Sequence, residues 1–282
     1  MNQTTEIRDI LDRLNEEQIK PVLTTEGPVL VLAGAGSGKT RVLTSRIAYL
    51  IAEKDVPPEA ILAITFTNKA ANEMKERIGQ IVDARGMWVC TIHSMCVRIL
   101  RMYAAEAGLT QNFSIYSETE RANIIKKSFQ ECDFDDEKLL KNVKWHIANA
   151  KMLGLSPAEY AEENAKEREI DDVTKVYARY QAHLRENNAL DFDDLLNEAR
   201  QLLKRNEEAR GYLGGRFRYI LVDEFQDTNA VQFEIVKLLA SVHGNLFVVG
   251  DDDQSIYGWR GAKIENILHF EKAFPGAKTF KL

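Results

Sequence analysis

Ala33-Gly34-Ala35-Gly36-Ser37-Gly38-Lys39-Thr40 sets three glycines, a lysine and a threonine directly behind the apolar run Val29-Leu30-Val31-Leu32. Glycines let successive backbone N–H groups turn toward one anion, and a helix that starts at the lysine adds the positive end of its dipole. A strand, loop and helix of this kind grip the phosphates of ATP, with Lys39 on the β/γ-phosphates and Thr40 on Mg²⁺. The usual pattern has glycine six residues before the lysine, where this chain carries Ala33, a strand-end position at which a methyl group can be tolerated.

Holding a triphosphate is not hydrolysing it, which also needs a carboxylate for the metal and a group that activates water. Leu221-Val222-Asp223-Glu224 supplies both at the end of a second apolar run. The carboxyl ends of strands are the ligand edge of an α/β sheet, so Asp223 is the candidate Mg²⁺ ligand and Glu224 the candidate base. The competing reading is an acidic pair that caps the helix starting near Asn229. A third apolar run leads into Gly250-Asp251-Asp252-Asp253-Gln254-Ser255-Ile256-Tyr257-Gly258-Trp259-Arg260. Gln254 could meet the γ-phosphate there, while Tyr257 and Trp259 offer faces on which bases stack. Alternatively Trp259 is core and Arg260 a surface charge.

The elements that must position these groups alternate in type. Apolar runs at 29–33, 61–66 and 87–92 each precede a helical pattern, at 40–52, 69–82 and 94–107. Alternating units build a parallel sheet flanked by helices. From 117 to 188 the character changes to charged amphipathic stretches, at 118–131, 138–150 and 173–187, which predict a helical insertion. Its joints fall at 154–157 and along the acidic run 162–172, a solvated face. A helix is predicted over 192–205, and strands return at 219–222 and 246–250. The expected division is a discontinuous nucleotide-binding domain, 1–116 with 189–282, interrupted by an all-helical domain at 117–188.

A chain of 282 residues, 45% hydrophobic and 28% charged, can bury a large core. Its net charge of −6 gives no overall attraction to nucleic acid, so any polyanion must be held by a local groove. No apolar run approaches the roughly 20 residues that span a bilayer, and 1–13 is polar, so a cytoplasmic protein with no membrane partner is expected. Cys90, Cys96 and Cys132 lack metal-binding spacing and predict free buried thiols.

Asn15-Glu16-Glu17-Gln18, the AGAGSGKT loop, TFTNKAANEM at 65–74, TIHS at 91–94, DFDDLL at 191–196, VDEFQDTN at 222–229 and GDDDQSIYGWRGA at 250–262 together resemble the UvrD/Rep/PcrA family of superfamily 1 DNA helicases. The order and spacing match over essentially the whole chain. The resemblance implies a RecA-like P-loop NTPase sheet with an inserted helical accessory domain, and an ATP-dependent 3′ to 5′ DNA helicase activity. It implies that Gln18 reads the adenine edge, that Ala35, Gly36, Ser37, Gly38, Lys39, Thr40 and Arg41 surround the nucleotide, and that Gln226 and Gln254 sense the γ-phosphate. It further implies that Thr65, Phe66, Asn68, Thr91, His93, Phe192, Tyr257, Trp259 and Arg260 line a single-strand track. Phe66 and Phe192 also fit as core residues on sequence alone. Lys141, Lys144 and Lys151 fit either phosphate contacts or solvated helix faces.

Family members continue past the point where this sequence stops, at Phe280-Lys281-Leu282, into a second RecA-like domain that supplies arginines to the transferring phosphoryl group. The expectation is an N-terminal fragment that binds nucleotide and hydrolyses it poorly, acting on single-stranded and duplex DNA with repair or replication proteins as partners. The helicase portion of a helicase-nuclease and a catalytically silent nucleotide- or DNA-binding module are the alternatives.

Overall fold

A computed structural model of the chain describes residues 3–34, 36–251 and 270–282. Ala35 and the 252–269 stretch, with Gln254, Tyr257, Trp259 and Arg260, lie outside the described residues. Helices α1 (Gln3–Leu11) and α2 (Glu16–Leu23) precede β1 (Val29–Leu32), α3 (Lys39–Ala52), β2 (Ile61–Thr65), α4 (Asn68–Gly79), β3 (Trp88–Thr91) and α5 (Ile92–Met102). There follow β4 (Ser114–Ile115), α6 (Glu118–Glu131), α7 (Glu137–Leu153), α8 (Pro157–Glu163), α9 (Ile170–Glu186), β5 (Ala189–Leu190) and α10 (Phe192–Arg205). Then come α11 (Glu207–Arg216), β6 (Tyr219–Val222), α12 (Ala230–Ala240), β7 (Leu246–Gly250), α13 (Phe270–Ala273) and β8 (Lys278–Lys281).

Six strands form one parallel sheet in the order β3-β2-β6-β7-β1-β8. Strands covered on both faces must be apolar throughout, and Val29, Leu30 and Val31 of β1, all of β2 and all of β7 are buried. The α/β architecture with flanking helices is therefore the one the alternating pattern predicts. The sheet edge β8, reading Lys-Thr-Phe-Lys with no apolar run, was not foreseen, nor were α1, α2 or α11.

The chain clusters into two compact units, 1–95 with 206–282, and 96–205. The first holds the six-stranded sheet. Its core joins Val29, Val31, Ile61, Ala63, Leu221, Phe247 and Val249 to Val42, Ile47, Met74 and Ile78 of the covering helices. The second packs Ile125, Phe129, Val143, Ile147, Val173, Val176, Tyr177 and Tyr180 from α6, α7 and α9. It takes in more than the stretch 117–188, because β4 and β5 pair in parallel and α10 packs on α7.

Local chemistry sets the helix limits in the second unit. Ser117 and Glu120 form a reciprocal capping box that starts α6, and Ser156 with Glu159 does the same for α8. Gly154 ends α7 at φ +73°, and a Cβ there would stand 2.5 Å from the Arg200 guanidinium, so position and conformation both require glycine. No described helix is long and apolar enough to cross a membrane. The three cysteines are buried thiols.

Candidate functional site

Parallel order puts the carboxyl ends of β1, β7 and β6 side by side, and each delivers a charged group to one place. From β1 the chain turns through the glycine loop into α3. Gly36 and Gly38 take φ +76° and +93°, and a Cβ on Gly38 would lie 2.7 Å from Gln18 Nε2. Only glycine satisfies both conditions at residue 38. The first turn of α3 has no side-chain cap, so its N–H groups are available to an anion. Ser37 Oγ donates to Gly34 O at 2.8 Å and tightens the turn. Ala33 is buried in the sheet core, with its N–H donating to Gly250 O at 3.0 Å, which explains why a methyl is accepted where glycine is usual.

Lys39 Nζ lies 3.4 Å from Asp251 Oδ2, past the end of β7, and 3.7 Å from Glu224 Oε2, past the end of β6. Asp223 is buried with its Oδ1 accepting the Glu224 N–H at 3.0 Å. Burial, then the neighbouring Glu224 charge, pushes the Asp223 carboxyl up to about 6, against the Glu224 N–H and Lys39, which favour the charged form. Gln226 ties the tips of two strands together: its Nε2 donates to Glu224 Oε2 at 2.7 Å and its Oε1 accepts the Asp251 N–H at 3.0 Å. Glu224 itself sits at φ +49°, ψ +47°, a left-handed conformation that costs a branched or long residue about 1–2 kcal/mol. Neither acidic residue caps α12, which is started by Asn229 in a capping box with Gln232; the capping alternative is thereby excluded.

Gln18 is buried and closes a capping box with Asn15 at the start of α2. Its Nε2 donates to Ser37 O at 2.8 Å, so α2 leans directly on the glycine loop. Arg46 of α3, also buried, donates to the carbonyls of Pro21, Thr24 and Thr25 and holds the end of α2 to α3. Thr40 is half-buried and Arg41 exposed in the first turn of α3.

The donor set suits ATP with Mg²⁺. Hard oxygens are available from Asp223 and Thr40, while no cluster of three or more metal-binding side chains occurs among the described residues. Mg²⁺ is characteristically held by one or two carboxylates together with substrate phosphates and water.

Thr65 and Thr91 end adjacent strands and are register partners. The Thr65 hydroxyl donates to Thr67 O at 3.1 Å, and Thr91 Oγ1 accepts the Ser94 N–H at 3.2 Å, opening α5. Phe66 and His93 are half-buried and Asn68 is exposed. These five residues share the sheet edge with Lys39, Asp223 and Glu224, on its β2 and β3 side. Strand β6 links the halves, since the Asp223 N–H donates to Ile64 O of β2 at 2.9 Å.

In the second unit Phe192 begins α10 and is 48% exposed, so it is no core residue. Lys151 is neither phosphate contact nor solvated face: its Nζ is fully buried, 2.6 Å from Asp191 Oδ2 and 2.7 Å from Asp194 Oδ2. Burial disfavours the Lys151 charge, but Asp194 and Asp191 outweigh it and raise its pKa. Lys141 is exposed and Lys144 half-buried. One residue, Asp251, and one contact, that of Gln18, escaped the sequence reading. Asp251 was passed over for Gln254, although it follows an apolar strand just as Asp223 does. The Gln18 contact with the loop has no sequence signal, because it joins elements that need only meet in space.

Residues 14–275 match the family model described as UvrD/REP helicase N-terminal domain. A protein of Staphylococcus aureus (strain Mu50) described as ATP-dependent DNA helicase PcrA is 51% identical over 276 residues, covering 97% of this chain and 38% of its own. The protein of that description from Staphylococcus epidermidis (strain ATCC 12228) is 49% identical over 275 residues, with 97% and 38% covered. The chain thus spans 38% of the length of these curated relatives.

Proposed function

Given that this chain belongs to the UvrD/REP helicase N-terminal domain family, we propose that it is the nucleotide-binding and catalytic half of an ATP-dependent DNA helicase. The observation that carries this reading is the meeting of Lys39 with Glu224 and Asp251, which brings three distant sequence segments to one sheet edge. Lys39 and the N-terminal amides of α3 hold the β/γ-phosphates, and Gln18, Arg41 and the glycine loop, Ala35 included, surround the rest of the nucleotide. Asp223 and Thr40 would hold Mg²⁺, which when bound offsets charge on the phosphate oxygens. Glu224 accepts a hydrogen bond from the water that attacks the γ-phosphorus and takes up its proton as ADP departs. Gln226 keeps Glu224 aimed and, with Gln254, reports the state of the γ-phosphate.

Single-stranded DNA runs along Thr65, Phe66, Asn68, Thr91 and His93, with Phe192, Tyr257, Trp259 and Arg260 adding base and phosphate contacts. Aromatic platforms hold any base, which suits a motor that must not stall at particular sequences. The 117–188 helices act as an accessory domain toward duplex DNA. Polarity of 3′ to 5′, a cytoplasmic location and partners in repair or replication rest on the family likeness alone.

The test is direct binding of a fluorescent ATP analogue with Mg²⁺. Lys39→Ala removes charged hydrogen bonds worth about 1.5–3 kcal/mol and is expected to weaken affinity at least about tenfold. Equal affinity in Lys39→Ala and wild type would remove the phosphate-loop assignment.

A further inference from the structure

Two departures from ordinary packing lie next to one another in the second unit. Lys151 of α7 has a fully buried ammonium, and Phe192, beside its partner Asp191, exposes 48% of its surface. A buried ion cluster is weak support for stability, since apolar side chains of similar volume often serve as well or better. Phe192, at the start of α10, leaves nearly half of its surface open to solvent. Both features together need a reason outside stability.

The hydrogen bonds show what the cluster constrains. Asp191 Oδ1 accepts the Asp194 N–H at 2.9 Å, and Asp194 Oδ2 accepts the Asp191 N–H at 3.3 Å, so residues 191 and 194 lock the backbone on either side of Phe192. Lys151 Nζ bridges the two carboxylates at 2.6 and 2.7 Å, and Tyr180 Oη of α9 donates to Asp191 Oδ2 at 2.7 Å. Arg121 of α6 brings Nε within 3.6 Å of Asp191 Oδ2 and Nη2 within 3.7 Å of Asp193 Oδ2. Three other helices therefore clamp the first turn of α10. A helix start does not require this: the capping boxes at Asn15, Ser117, Ser156 and Asn229 each use an uncharged cap residue.

We infer that the Lys151–Asp191–Asp194 cluster, with Arg121 and Tyr180, is a positioning device that holds the Phe192 ring outward for stacking on a nucleobase. The inference rests on the reading of Phe192 as a single-strand contact. Stacking on an aromatic side chain is sensitive to the ring's orientation, and a ring held in place loses less freedom on binding. Lys151 acts through Phe192 and touches no nucleic acid itself.

A double-mutant cycle on the full chain tests it, with fluorescently labelled oligo-dT as the probe and affinity for the fluorescent ATP analogue as the control of folding. Phe192→Ala is expected to weaken oligo-dT binding about tenfold. Lys151→Met should do the same, and the two together should be no worse than Phe192→Ala, with nucleotide affinity unchanged throughout. Additive losses, or wild-type binding in Lys151→Met, would overturn the positioning role while leaving Phe192 as a contact. An unchanged Phe192→Ala would instead sink the contact itself, and the inference with it. Should Lys151→Met fail to fold, Tyr180→Phe, which removes one hydrogen bond to Asp191, replaces it. Its loss should appear beside Phe192 and vanish in the Phe192→Ala background; the same loss in both refutes the inference.

Discussion

Lys39 is the residue on which opposite demands meet. Its ammonium lies against Asp251, only 1% exposed at the side chain, and Glu224, which is 40% exposed. Negative phosphate oxygens entering this space would compete with two carboxylates for one cation. Asp223, pushed up to about 6 by burial and by Glu224, adds to the same concentration of negative charge, which a divalent cation relieves. Glu224→Gln keeps the shape and the hydrogen-bonding reach toward Gln226 but removes the proton acceptor. Nucleotide affinity is expected to stay within about threefold of wild type, while single-turnover hydrolysis falls by about 10²–10⁴, the usual worth of a positioned base. Hydrolysis that survives at the wild-type rate would assign water activation to another group. The left-handed Glu224 backbone belongs to this scale too, because local strain persists where surrounding contacts fix it.

At the scale of elements, much of the arrangement was legible from residue types. Helix α6 spans the expected stretch 118–131, and the limits of β6 and β7 coincide with their apolar runs. What could not be read depends on neighbours. The two-residue strands β4 and β5 are too short to carry a periodic pattern, and β8 is an edge whose charged ends give no apolar signal. The same limit divides the site. Lys39, Asp223 and Glu224 stand in recognisable motifs, whereas the Lys39–Asp251 pair exists because β7 lies between β1 and β6, and strand order is not written in spacing. Lys151 was misread because a lysine on an amphipathic helix is usually solvated, and only the packed α7–α10 contact reveals its two carboxylate partners. A prediction belongs here for the loop-to-helix junction. Gly38→Ala must adopt φ +93° and displace Gln18 Nε2, so it should destabilise the fold by about 1–2 kcal/mol in chemical denaturation and weaken ATP-analogue binding. Unchanged stability together with unchanged binding would show that the loop takes another conformation.

For the molecule as a whole, the net charge of −6 sets a condition on any DNA contact. On the proposed reading, attraction within this chain comes from local cationic side chains, Arg260 among them, because the net charge repels a polyanion. Oligo-dT affinity of the chain is therefore expected to fall with added salt, with a shallow slope of log K against log salt that counts a small number of phosphate contacts. A salt-independent affinity would mean that bases alone are held. The sheet edge has one further property. Asp223 is fastened through its amide to Ile64, and the next residue of that strand is Thr65. On the proposed reading, fuel and cargo would share a single rung of backbone with no compliant spacer between them. A small-molecule inhibitor seated at that rung would compete cleanly with neither, and its kinetic signature would be mixed-type inhibition against ATP and polynucleotide alike.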